Sequence, residues 1–134
     1  MKVAVTGGTG MIGRKLIASL LATPELIGCD GRKSEISSIT AFDVIPPNPP
    51  LPEDARLNFI MGEISDADSI AALINDDTDA VFHLAAVVSA QAEEDFDLGM
   101  RVNLDGTRIV LERCRMLDHV PRVVYASSVA AFGG

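Results

Sequence analysis

Apolar residues along the chain follow two rhythms. Val3, Ala4 and Val5 form an unbroken apolar run that stops at Thr6-Gly7-Gly8. A run of that kind suits a strand covered on both faces, as in a parallel sheet. From Met11 the rhythm changes: Ile12, Leu16 and Leu20 recur at helical spacing, and Pro24 lies just past the expected helix end. Residues 23–36, rich in Gly, Ser and charge, read as a loop. Ile36 to Ile45 reads as a second strand with Asp43 at its end, and Pro46, Pro47, Pro49, Pro50 and Pro52 follow as a stiff surface connector. Leu57 to Met61 reads as a third strand. Ser65-x-x-Asp68 resembles a helix capping box, with Ile70, Leu73 and Ile74 as the buried face behind it. Ala80 to Leu84 reads as a fourth strand, residues 94–118 as one long helix, and Arg122 to Ala126 as a fifth strand ending in Ser127-Ser128. Strands alternating with helices predict an α/β fold: a Rossmann-like, doubly wound parallel sheet, here one domain over 1–134.

The long helix carries a further pattern. Arg101, Asp105, Arg108, Glu112 and Arg115 form a polar stripe of alternating sign. Leu98, Met100, Val102, Leu104, Ile109, Val110, Leu111, Cys114, Met116 and Leu117 are apolar, more than one sheet-facing stripe needs. The excess implies a second covered face, supplied by a partner subunit or by further chain. A homodimer through the helix at 94–118 is the expected arrangement.

Composition narrows the classes. The 134 residues carry 11 basic and 19 acidic side chains, a net charge of −8, and 48% are hydrophobic. That is enough apolar material for a core, and the acidic balance argues against binding nucleic acid or an anionic membrane. Cys29 and Cys114 lie far apart without ligand-spaced partners, so neither a disulfide framework nor a metal site follows. The apolar start is too short for a signal peptide, and no run approaches the ~20 residues of a membrane span. These features together predict a soluble cytoplasmic protein.

The chemistry collects at strand ends. Gly7-x-x-Gly10-x-x-Gly13 lies between the first strand and the first helix, the context in which such a pattern binds a dinucleotide pyrophosphate on main-chain N–H groups. No Lys follows at P-loop spacing. A tight structural turn is the alternative. Asp43 can accept the adenosine ribose hydroxyls and repel a 2′-phosphate, which favours NAD over NADP; a solvated strand-end acid is the alternative. Gly62-Glu63-Ile64, Leu84-Ala85-Ala86 and Ser127-Ser128 follow the next three strands. Five successive strand ends thus carry small or polar groups, where open α/β sheets bind ligands. His83, within an apolar strand, reads as a packed core histidine, and Met11, Met61 and Met100 read as core fillers.

Four ordered stretches carry a family resemblance: Thr6-Gly7-Gly8-Thr9-Gly10-Met11-Ile12-Gly13, His83-Leu84-Ala85-Ala86, Val102-Asn103-Leu104-Asp105-Gly106-Thr107 and Tyr125-Ala126-Ser127-Ser128. The chain resembles the extended short-chain dehydrogenase/reductases, the NAD-dependent epimerase/dehydratase proteins. The resemblance implies that Gly7, Gly10, Met11 and Ile12 hold the pyrophosphate and Asp43 the ribose. It implies that Glu63 and Ile64 flank the adenine, although the family more often has Asp at position 63. Leu84, Ala85 and Ala86 would line the nicotinamide side, Asn103 would anchor the site from the long helix, and Ser128 would be the catalytic serine. His83 to Ser89, Asp95 to Asn103 and Ser127 to Gly134 are similar to members that oxidise the C2 hydroxyl of a four-carbon sugar acid with NAD. A nucleotide-sugar epimerase or dehydratase and a non-catalytic NAD-binding sensor are the alternatives. The family's Tyr-x-x-x-Lys pair is missing: the one tyrosine, Tyr125, has Val129 four residues on, and Lys2, Lys15 and Lys33 all precede it. The expectation is an N-terminal portion of a longer enzyme, inactive alone, truncated after the fifth strand.

Overall fold

Strand β1 (Lys2–Thr6) runs through the middle of the sheet. It pairs in parallel with β4 (Ser38–Asp43) on one side and β6 (Thr78–His83) on the other. β5 (Leu57–Met61) extends the first side and β7 (Arg122–Tyr125) the second, giving the order β5-β4-β1-β6-β7 with every pair parallel. The order reverses at β1, as in a doubly wound sheet. This computed structural model describes residues 1–23 and 25–132. Pro24, expected past the first helix, and Gly133 and Gly134, at the end of the last resembling stretch, lie outside the described residues.

The unbroken apolar runs are explained by two cores. Successive strand residues point to opposite faces. Val3, Val5, Ile39, Ala41 and Ala80 pack with Ile17 and Leu20 of α1 (Met11–Ala22) on one face. Ala4, Phe42 and Val81 pack on the other with Ile70 and Leu73 of α2 (Ala67–Leu73) and with Val110 and Cys114 of α5 (Thr107–Met116). Burying each large aliphatic side chain in these layers contributes about 1.5–3 kcal/mol.

Several expectations are corrected. Residues 23–36 are not all loop: β2 (Glu25–Ile27) and β3 (Lys33–Glu35) form a small antiparallel hairpin, mostly exposed and therefore without a core-facing apolar pattern. β4 is shorter than 36–45, because Val44 and Ile45 have left the sheet and face solvent. Leu84 and Ala126 likewise fall outside their strands. The cap of α2 is Asp66, whose carboxylate accepts from the Ser69 N–H at 3.0 Å, one residue on from the expected Ser65-x-x-Asp68 box. Met11, Met61 and Met100 are not core fillers; they are 71%, 63% and 41% exposed.

The expected helix 94–118 is interrupted. Glu94 ends a short helix, α3 (Ser89–Glu94), and Asp95 leaves helical geometry to cap α4 (Phe96–Gly99), accepting from the Leu98 N–H at 2.9 Å. A π-helical turn, Met100–Gly106, joins α4 to α5. There Gly106 passes so close to Ile64 that a Cβ would lie 2.7 Å from its Cγ2. Leu117 is already extended, so Asp118 lies beyond the helix. Val110, Cys114 and Leu117 are buried, whereas Phe96, Met100, Leu104, Leu111 and Met116 remain exposed.

Candidate functional site

The glycine turn is built by close approach. Gly7 has φ +70°, a left-handed conformation that costs a side-chain-bearing residue about 1–2 kcal/mol, and an added Cβ would lie 2.9 Å from the Ala85 nitrogen. Gly13 sits against the same turn from the helix side, where a Cβ would lie 2.2 Å from the Gly7 carbonyl oxygen. Gly10 is different: a Cβ there would meet only that oxygen, at 3.3 Å, so its outer side is open. Gly10 is also the N-cap of α1, with no side-chain cap and no acidic residue in the first turn. The helix therefore presents its positive end and the main chain at Met11 and Ile12 to the rim, an arrangement suited to a phosphate.

Asp43 closes one side of this turn. Thr9 donates its N–H (3.0 Å) and its hydroxyl (2.6 Å) to Oδ2 of Asp43, and the Val44 N–H donates to Oδ1 at 2.9 Å. A carboxylate offers about four acceptor positions, so one on Oδ1 is left for a ribose hydroxyl. Accepting both hydroxyls, as the sequence suggested, requires one Thr9 bond to yield. Arg14, half-buried, holds the other side of Thr9, donating from Nε to its carbonyl at 2.8 Å.

The third strand end separates the roles expected of Glu63 and Ile64. Glu63 is exposed on the rim, but the Ile64 side chain is buried in the core beside Gly106. Only the main chain of Ile64 can face a ring, which corrects any side-chain role for it. After β6, Leu84 and Ala85 are half-buried against the two cores and Ala86 is exposed. Asn103 directs its amide at the main chain of Val87, accepting from its N–H at 2.8 Å and donating to its carbonyl at 3.0 Å. It is thus a positioning residue for the loop after β6, reaching across from the π-helical turn.

His83 ties these parts together. It is 1% exposed; Nδ1 lies 2.7 Å from Thr6 Oγ1 and Nε2 lies 2.9 Å from Thr107 Oγ1. Thr6 Oγ1 already accepts from the N–H groups of Leu84 and Ala85, both at 3.2 Å. Its two lone pairs are engaged, so its proton goes to Nδ1, and Nε2 of a neutral imidazole donates to Thr107. Burial pushes the His83 pKa down to about 4. This is the packed core histidine that the sequence predicted. Tyr125, at the end of β7, stacks on its ring with centroids 5.6 Å apart.

Ser128 follows β7 on the same rim, exposed, and opens a single 3₁₀ turn (Val129–Phe132) in which the Ala131 N–H donates to its carbonyl at 3.1 Å. Gly7, Gly10, Met11, Ile12, Asp43, Glu63, Ala85, Ala86 and Ser128 thus all lie at or after the C-terminal ends of the five parallel strands. Sequence reasoning missed Thr6, Thr9, Arg14, Val87 and Thr107, whose partners are distant along the chain. Thr6 and Thr9, flanking Gly7-Gly8, carried the one usable signal, since hydroxyls beside a tight turn seek hydrogen-bond partners, although theirs lie 34 or more residues away.

A model of the NAD dependent epimerase/dehydratase family matches residues 3–134. The chain is 50% identical over 134 residues to D-erythronate dehydrogenase of Cupriavidus necator, covering all of this chain and 40% of that protein. It is 38% identical over 134 residues to D-erythronate dehydrogenase of Haemophilus influenzae, again covering all of this chain and 40% of that protein. Among solved structures, the nucleoside-diphosphate-sugar epimerase from Agrobacterium tumefaciens superposes with a TM-score of 0.84 at 37% identity, covering 100% of this chain and 39% of that one. The chain spans about 40% of the length of the curated relatives it matches.

Proposed function

The chain belongs to the NAD dependent epimerase/dehydratase family, and from that premise we propose that the whole protein is an NAD-dependent dehydrogenase of a four-carbon sugar acid, D-erythronate, with residues 1–134 as the N-terminal part of its NAD-binding Rossmann domain. One observation carries the reading: half the residues are identical, across the entire chain, to a D-erythronate dehydrogenase.

The residues fit NAD. The uncapped end of α1 and the open side of Gly10 suit a pyrophosphate, and the spare acceptor on Asp43 suits a ribose hydroxyl. When bound, NAD supplies the hydride acceptor for oxidation at C2. In this reading Gly7, Gly10, Met11 and Ile12 hold the pyrophosphate, Glu63 and the Ile64 main chain flank the adenine, and Leu84 to Ala86 line the nicotinamide end. Asn103 keeps that last loop in place. The Ser128 hydroxyl donates to the substrate oxygen as charge develops on it. The proton acceptor is a Tyr-x-x-x-Lys pair, which these 134 residues do not contain, so they do not turn over alone.

Among the described residues no helix is long and apolar enough to cross a membrane. The proposal places the protein in the cytoplasm, as a homodimer through the exposed apolar strip of α4, the π-helical turn and α5, with a sugar acid rather than nucleic acid or membrane as its partner. The likeness to a nucleoside-diphosphate-sugar epimerase favours a second reading, in which NAD stays bound and is recycled. Incubation of the full-length enzyme with NAD and D-erythronate separates them. Net NADH formation supports the dehydrogenase. Tightly retained NAD with isomerisation of a nucleotide sugar and no net NADH overturns it.

A further inference from the structure

We propose that Arg14 is a positioning residue for the cofactor: it ties the proline-rich segment 46–52 to the glycine turn and so fixes a wall beside the Asp43 carboxylate. The proposal rests on the reading of this rim as the NAD site.

The segment begins three residues after Asp43, where β4 leaves the sheet, and five of its seven residues are proline. Proline has no N–H, so this stretch offers carbonyl oxygens with few donors of its own. Arg14 supplies donors. Its Nη2 donates to the Pro49 carbonyl and its Nη1 to the Pro50 carbonyl at 3.4 Å, while Nε donates to Thr9. One planar guanidinium thereby joins main-chain oxygens from two separate loops, which its fixed fork of N–H groups permits and a single ammonium does not.

Both ends of the wall are held. Beyond Arg14, Leu51 packs against the α1-side core. Arg56, fixed by Asp54 at 2.9 Å, donates to the Leu21 carbonyl at 3.1 Å. On the other side, Thr9 is gripped at its carbonyl by Arg14 and at its N–H and hydroxyl by Asp43. Proline segment, Arg14, Thr9 and Asp43 therefore form one line across the adenosine end of the rim. Losing Arg14 frees the Pro49 and Pro50 carbonyls, leaving the segment held only through Leu51, and removes one of the three bonds that orient Thr9 toward the carboxylate. The proline run, which has no chemistry of its own, gains a role as a preorganised wall.

The test uses the full-length protein, with NAD and ADP-ribose as ligands in isothermal titration calorimetry. Four variants are compared with wild type: Arg14→Met, Arg14→Lys, replacement of 46–52 by a Gly/Ser stretch of equal length, and Arg14→Met combined with that replacement. Arg14→Met and the replacement should each weaken both ligands roughly five- to tenfold, with a melting temperature near wild type. Their combination should be no weaker than the weaker single, because both break the same link. Arg14→Lys should not restore affinity; rescue by lysine would show that charge alone matters and would overturn the positioning role. Additive losses, or unchanged affinity in Arg14→Met, would also overturn it. Should Arg14→Met fail to fold, the replacement alone must still lower affinity. Asp43→Ala separates the two levels: if it too leaves NAD affinity unchanged, the rim reading falls, whereas loss in Asp43→Ala with none in Arg14→Met removes only this proposal.

Discussion

Replacing His83 by Gln tests the strand-end network by way of pH. The imidazole is held neutral between a hydroxyl that donates to Nδ1 and one that accepts from Nε2. A second proton would have to sit on Nδ1, facing the Thr6 hydroxyl proton. That hydroxyl cannot turn without giving up the N–H groups of Leu84 and Ala85. Burial disfavours the charged ring and pushes the pKa down to about 4. In the unfolded chain it returns to about 6.5. Between these values the unfolded state binds a proton that the folded state refuses, so stability falls as the pH drops from about 6.5 to about 4 and this contribution levels off below. At about 1.4 kcal/mol per pH unit the withdrawal reaches about 3 kcal/mol. Urea unfolding of wild type and His83→Gln at about pH 7 and about pH 4 isolates it, since the carboxylates titrate in both proteins. At neutral pH the wild type should lead by about 2 kcal/mol, from a lost hydrogen bond and poorer packing. At the acid end that lead should vanish or reverse. A stability difference that stays constant with pH would refute the neutral, doubly bonded imidazole.

Three further outcomes follow from the geometry. Asp43→Ala removes a charged acceptor worth about 1.5–3 kcal/mol, so the NAD dissociation constant should rise roughly ten- to a hundredfold and the preference over NADP should shrink, as measured by calorimetry with both cofactors. Gly13→Ala forces a Cβ against the Gly7 carbonyl, 2.2 Å away; it should destabilise by about 3 kcal/mol in urea unfolding, and a neutral result would show that the turn relaxes freely. Leu104→Glu, on the exposed strip of the π-helical turn, should change subunit stability by less than about 0.5 kcal/mol while dissociating a dimer in light scattering; a monomeric wild type removes that interface.

How far the sequence reveals the molecule depends on whether the signal is local. Val3 to Val5 are legible as a central strand because both faces must be apolar when helices cover both sides, and the glycine pattern is legible because strand, turn and helix adjoin in sequence. Asp43 is legible for the same reason, as the last residue of a readable strand. The hairpin of β2 and β3 is hidden because its residues are polar and exposed, so no burial pattern marks it. Met11 and Met61 mislead because hydrophobicity predicts burial only where the chain is not turned outward at a strand end or helix start. The bonds from Thr9 to Asp43 and from Asn103 to Val87 span 34 and 16 residues, and no local periodicity encodes them.

Those long-range bonds decide which parts of the rim can move. Thr6 accepts from the loop after β6 through one hydroxyl, and the same hydroxyl reaches α5 through His83 and Thr107. The loop is gripped again from the π-helical turn by Asn103. The turn after β1 is pinned by Thr9 on Asp43 and by Gly7 packed against Ala85 of that same loop. β1 lies between β4 and β6 in the strand order, so its single C-terminal end carries both sets of bonds. The main chain proposed to hold the phosphates and the loop proposed for the nicotinamide end are therefore fixed to each other. Little ordering is left for binding to impose, which is the condition under which a few main-chain N–H groups and one carboxylate suffice to hold a dinucleotide.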